Sequence, residues 1–312
     1  MDGNNSCQSK AMRPLRALII YVMVIFLGGA LLAPWLYWLT QWAAGQLPVL
    51  ERLAQQPFHR FLNRSLLGVA VIGLWPFLRS IGANSWAAVG LVKPAGQWKR
   101  LATGIVAGFG SLACVALVAI AADGRKLDLD FSTSDFVTRL CTAGLWAVTA
   151  ATLEELLFRG ALFGALRKTH HWLVALIVSS LIYAIVHFFK KAASPTEITW
   201  SSGFELLPRM LSGFAEIEML VPGFFTLALA GMILALAYHQ TGNLYFSTGL
   251  HAGWIFWLKL YGFLTDSQAG MQTWFWGTGK LIDGWLALIV LLPMFILLWF
   301  SQKKETTRSH VI

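Results

Sequence analysis

Leu153-Glu154-Glu155-Leu156-Leu157-Phe158-Arg159 sets three charged residues inside an otherwise apolar run, 137–166, that is long enough to cross a bilayer as a helix. In hydrocarbon each charge costs about 2.5–3.5 kcal/mol on insertion scales, so ionisable residues at that depth mark functional sites by default. Two adjacent acids cost more, because like charges at close range resist ionising together. Something must offset them. Candidates stand in two other apolar segments: His187 and His251.

Composition settles the class. The chain is 57% hydrophobic and 12% charged, against roughly 25% charged residues in an ordinary soluble domain. Many of its 15 tryptophans lie near the ends of apolar runs, where membrane interfaces collect them. An all-α, polytopic transmembrane helix bundle is expected. The net charge of +9 then reflects topology and anionic lipid headgroups, and the bilayer rather than nucleic acid is the expected partner. Cys7, Cys114 and Cys141 show neither zinc-ribbon nor disulfide spacing.

Runs of about 20 apolar residues give eight candidate spans, near 17–40, 65–82, 101–122, 137–166, 172–189, 219–239, 243–263 and 282–300. Lys10, Arg13 and Arg16 hold the N-terminus in the cytoplasm. An even number of spans returns Lys303, Lys304 and Arg308 to the same side. The basic loops around Arg79 to Arg100 and at Arg167-Lys168 agree, as does the acidic outer loop of Asp123, Asp128, Asp130 and Asp135. The basic loop Glu51 to Arg64 and the pair Lys190-Lys191 count against it. Gly28-Gly29-Ala30 imitates a signal cleavage region, but the apolar run continues to Leu39, as an uncleaved anchor would. The division is therefore a cytoplasmic tail 1–16, one transmembrane domain 17–300 and a cytoplasmic tail 301–312. The interruption 190–218 has room for a short amphipathic helix on the outer surface.

Residues four apart share a helix face, so Glu155 and Arg159 pair within one helix. Glu154, rotated by about 100°, has no counter-ion in that pair and stands where a general acid or base would. A buried structural ion pair explains Glu155 and Arg159 equally well. His187 shares a face with Tyr183, and counting from the turn at 168–172 it matches Glu154 in depth. Helices joined by so short a turn are antiparallel neighbours, which would set the acid opposite the imidazole. His251 lies within Gly249-Leu250-His251-Ala252-Gly253-Trp254, where small residues let another helix approach closely. His59, His170, His171, His239 and His310 lie at loops or span ends and carry no assigned chemistry.

Glu154-Glu155-x-x-Phe158-Arg159, Tyr183-x-x-x-His187 and the later His251 together resemble the CPBP family, the CAAX prenyl endopeptidase-like and bacteriocin-processing intramembrane proteases. The resemblance covers about 140–260. It implies a multi-pass protein of the plasma membrane, the inner membrane if bacterial, that acts on a membrane-associated protein or peptide. It implies that Glu154 activates water with His187, that Glu155 and Arg159 complete the first motif, and that His251 stabilises the oxyanion or, on an older view, binds metal. Tyr183 departs from the usual Phe, and Ile255 from the usual Asn or Asp one turn after the last histidine. Ile255 neither donates nor ligates, so oxyanion stabilisation falls to His251, with Ser247 or Thr248 as helpers. A hydrolytic zinc needs three protein ligands and an open position, which His187, His251 and Glu154 or Glu155 would supply. No His-Glu-x-x-His spacing is present, and ligation by Glu154 removes the base. A metal-free, glutamate-type intramembrane endopeptidase is expected. A proton-coupled carrier and a non-catalytic, immunity-like membrane protein are the alternatives; the paired broken helices of a carrier are not seen.

Overall fold

The computed structural model describes residues 3–190, 193–267 and 270–309; Lys191 and His310 lie outside the described residues. Its helices are α1 (Gly3–Gln46), α2 (Glu51–Ala54), α3 (Phe58–Ser80), α4 (Trp98–Ala121), α5 (Thr133–Glu155), α6 (Gly164–Thr169), α7 (Trp172–Val186), α8 (Ser202–Arg209), α9 (Ile217–Thr241), α10 (Tyr245–Leu264), α11 (Thr273–Trp276) and α12 (Trp285–Ser309). A π-helical segment, Leu156–Phe163, links α5 to α6 without a break. The two short strands β1 (Arg125–Leu127) and β2 (Thr265–Ser267) pair antiparallel, a minor departure from an all-α expectation.

Each of the eight apolar runs is a helix. Five are long and apolar enough to cross a membrane: Arg16–Gln46, Phe58–Ser80, Trp98–Ala121, Thr133–Thr169 and Ile217–Thr241. Trp172–Val186 and Trp285–Ser301 are shorter apolar helices, and α10 completes the set. Large apolar side chains such as Val106, Leu117, Leu145 and Trp146 stand exposed on these helices, as hydrocarbon rather than water requires. The chain is an integral membrane protein. The fifth run ends at Val186 and not at 189, because the chain turns away: Lys190 N–H donates to the Met210 carbonyl at 2.9 Å. The interruption 190–218 does contain a short helix, α8.

The chain forms two compact units, Met1–Asn84 with His187–Glu216, and Ser85–Val186 with Ile217–Ile312. In the first, α1 and α3 pack as neighbours. Tyr21 stacks on Phe77 at 4.6 Å and donates to the Ala70 carbonyl. Leu206 and Met210 close a core with Ala30, Ala33, Phe58, Phe61 and Leu62.

In the second unit α10 packs against both α4 and α5, while α9 packs against α7 and α12. The α4–α10 contact is made by backbone. A Cβ on Gly108 would stand 2.0 Å from the Leu250 carbonyl oxygen, and one on Gly253 would stand 2.6 Å from Phe109 N. Gly104-x-x-x-Gly108 thus meshes with Gly249-x-x-x-Gly253, the small-residue seam that brings membrane helices together. Gly253→Val is expected to cost about 1–3 kcal/mol through overpacking. It would be read as a lower thermal midpoint in detergent, and an unchanged midpoint would refute the seam.

The cationic flanks predict that both termini face the cytoplasm. With Cys7, Cys114 and Cys141 changed to Ser, single cysteines placed at Gln8 and Arg308 are expected to react with impermeant reagent from the cytoplasmic face. Labelling from opposite faces would remove the even span number.

Candidate active site

The α5 helix starts on a Ser132 cap, whose hydroxyl accepts from Asp135 N–H at 3.1 Å, and delivers Glu154 and Glu155 at its last turn. The hydrogen-bond register then widens through Leu156–Phe163. Such π segments recur at functional sites. Across this change Arg159 Nη1 keeps its ion pair with Glu155 Oε1 at 2.9 Å, with both side chains buried. The guanidinium also lies over the Tyr183 ring, 4.4 Å from its centroid, and its Nη2 reaches the Gly231 carbonyl at 3.4 Å.

The glycine seam holds α10 so that His251, 3% exposed, enters this cluster. Its Nδ1 is 3.0 Å from Glu155 Oε1. Its Nε2 is 3.2 Å from the Tyr183 hydroxyl and 3.7 Å from Glu154 Oε2. The two glutamates differ in access, Glu155 being fully buried and the Glu154 side chain 32% exposed. Because the ion pair with Arg159 holds Glu155 as a carboxylate, which can only accept, Nδ1 carries the hydrogen. The neutral imidazole therefore presents a lone pair at Nε2. This is the carboxylate–imidazole arrangement in which a buried acid fixes the tautomer and stabilises the ring when it gains a second proton.

Four sequence-predicted residues, Glu154, Glu155, Arg159 and His251, converge within the second unit. The expected Glu155–Arg159 pair is present, but it is not isolated: His251 shares the same carboxylate oxygen. His187 is the first residue beyond α7, exposed, and belongs to the first unit. Ser247, whose hydroxyl lies 3.2 Å from the carbonyl of Leu244 just before α10, also stands within hydrogen-bonding reach of the Glu155 carboxylate. Ile255 packs with Ala147, Ala151 and Ala252 along the α5–α10 contact. The hydroxyl that does reach His251 is that of Tyr183, which sequence reasoning passed over as a mere change of aromatic. Tyrosine in place of phenylalanine was the signal.

Residues 136–257, about two-fifths of the chain, match the family model described as "Type II CAAX prenyl endopeptidase Rce1-like". That stretch is similar to the Rce1-like family. Every residue of the cluster lies inside the matched stretch, and the family is one of membrane proteases that act on a protein or peptide substrate. No curated protein and no solved structure matches this chain.

Proposed function

We propose that this chain is an intramembrane endopeptidase in which Glu154 takes a proton from water and His251 stabilises the oxyanion. The observation that carries the reading is the seating of one imidazole between two glutamates, the buried one tied to an arginine. The hydroxide left by that proton transfer attacks the carbonyl carbon of the scissile bond. The proton passes to the departing nitrogen, and the products are a carboxylic acid and an amine, which ionise to a carboxylate and an ammonium. His251, protonated at Nε2 from solvent before the attack, directs Nε2–H at the developing oxyanion and keeps that proton throughout, its charge supported by Glu155. A shared role for His187 in activating water rests on the Tyr183-x-x-x-His187 motif.

Zinc fits this arrangement poorly. Both ring nitrogens of His251 already have partners, Glu155 and Tyr183, and a ligand bond at Nε2 would displace the hydroxyl. Among the described residues no group of three His, Cys, Asp or Glu side chains is placed to hold a metal. We therefore assign the proton transfer to Glu154 without a metal. The test is purified protein in liposomes with a farnesylated CAAX peptide, and separately with an unmodified membrane-spanning peptide, products being read by mass spectrometry with and without EDTA. Cleavage of either peptide in EDTA supports the reading. Cleavage of neither overturns it, and cleavage lost to EDTA and restored by zinc overturns the metal-free part.

A further inference from the structure

The loop between α3 and α4 runs Ser85-Trp86-Ala87-Ala88-Val89-Gly90-Leu91-Val92-Lys93-Pro94-Ala95-Gly96-Gln97 and passes into α4 at Trp98-Lys99-Arg100. Its charge has one sign, since no Asp or Glu occurs between Glu51 and Asp123. Lys93, Lys99 and Arg100 are exposed, and among the described residues none of the three forms an ion pair. Lys99 and Arg100 stand in the first turn of α4, where the helix dipole opposes a positive charge, so α4 itself gains nothing from them. Trp86 and Trp98 are 49% and 64% exposed. Indole rings and cations on one short stretch make a surface suited to lipid headgroups.

The same loop is fastened to two elements of the candidate site. Gly90 takes the left-handed conformation, φ +86°, and turns the chain after the short 3₁₀ stretch Ala87–Val89. Its carbonyl accepts from Leu244 N–H at 3.0 Å, and the Val92 carbonyl accepts from the Tyr245 hydroxyl at 2.9 Å. Both donors lie at the start of α10, which carries His251. A Cβ on Gly160 would stand 2.6 Å from the Val89 carbonyl oxygen, so the loop also lies directly on the π segment that carries Arg159. Whatever holds the loop therefore holds the elements that bring both partners to Glu155.

We propose that anionic phospholipid headgroups of the adjoining leaflet dock on Lys93, Lys99 and Arg100, and that this docking steadies the π segment and α10 and so raises the rate of cleavage. The rate consequence rests on the protease reading; the docking does not. A ligand shifts a conformational balance only through unequal affinity for its states. The seated loop fixes its three cations in place, whereas a loosened loop must give up conformational freedom to bring them to the headgroups.

The experiment places the full chain in nanodiscs of phosphatidylcholine and in nanodiscs of an equal mixture with phosphatidylglycerol. Backbone hydrogen exchange is read by mass spectrometry on peptides covering 85–101 and 156–163. Both are expected to exchange about tenfold to a hundredfold more slowly in the anionic discs, since each cation near such a surface is worth about fivefold. Lys93→Gln/Lys99→Gln/Arg100→Gln should lose that protection. Arg52→Gln/Arg60→Gln/Arg64→Gln, which removes as many exposed cations from α2 and the start of α3, should keep it. On a farnesylated CAAX peptide kcat should rise in the anionic discs, by up to the same factor, for the parent and the second variant but not for the first. Equal exchange in the two lipids, or an equal loss in both variants, would overturn the docking. Protection by inorganic phosphate in neutral discs would overturn the bilayer as the partner. Protection of 85–101 without 156–163, or an active parent with one kcat in both lipids, would overturn the coupling to the site. If the parent cleaves no peptide in either lipid, the protease reading fails on its own and the exchange still decides the docking.

Discussion

Glu154→Gln is expected to lower the rate of peptide cleavage by about 10²–10⁴, the usual worth of a positioned general base, while the protein inserts and folds as before. The amide keeps the shape and one oxygen acceptor but cannot take up the proton of water. The parent carboxylate is part-exposed and 3.7 Å from His251 Nε2, so the substitution leaves the buried Glu155–Arg159 pair intact. Thermal midpoint and size-exclusion profile should therefore match the parent, and the loss should appear in kcat. A Glu154→Gln protein that cleaves at the parental rate would end the proposed mechanism, whatever its stability.

Glu155→Gln is expected to act on the other axis. Arg159 is 2% exposed and Glu155 is fully buried, so removing the negative charge leaves a guanidinium in low dielectric. Breaking one side of such a pair typically costs about 3–5 kcal/mol. The measurable result is a sharp fall in the yield of monodisperse protein. The double variant Glu155→Leu/Arg159→Met replaces the pair with apolar groups of similar bulk and should recover much of that yield. It should nonetheless be inactive, because His251 loses the carboxylate that fixes its tautomer. Parental yield in Glu155→Gln would show that the pair is not what holds this region together.

Much of this site could be read from residue order. The i,i+4 spacing of Glu155 and Arg159 fixes their contact within one helix, and Gly249, Ala252 and Gly253 announce a close helix neighbour without saying which. The helical nature of all eight apolar runs follows from their length and hydropathy. The partner of His251 was beyond reach. It depends on how α5 and α10 pack across 96 residues of sequence, which no count of depth along single helices reveals. The π register of Leu156–Phe163 was equally hidden, since its residues are as apolar as those of an α-helical run.

The meshing of glycines between α4 and α10 has a consequence for how the molecule is made. The α10 helix carries Ser247 and His251 and is not among the five helices apolar enough to cross a membrane by composition. Alone in lipid it would be a reluctant guest. In order of synthesis, however, α4 and α5 emerge from the ribosome well before Tyr245 does. The complementary groove of Gly104 and Gly108, and the carboxylate that receives the imidazole, are then already in the bilayer when α10 arrives. The polar helix is admitted by a berth built earlier in translation, so a chain cut and re-joined to place α10 first should fail at insertion before any chemistry is at stake.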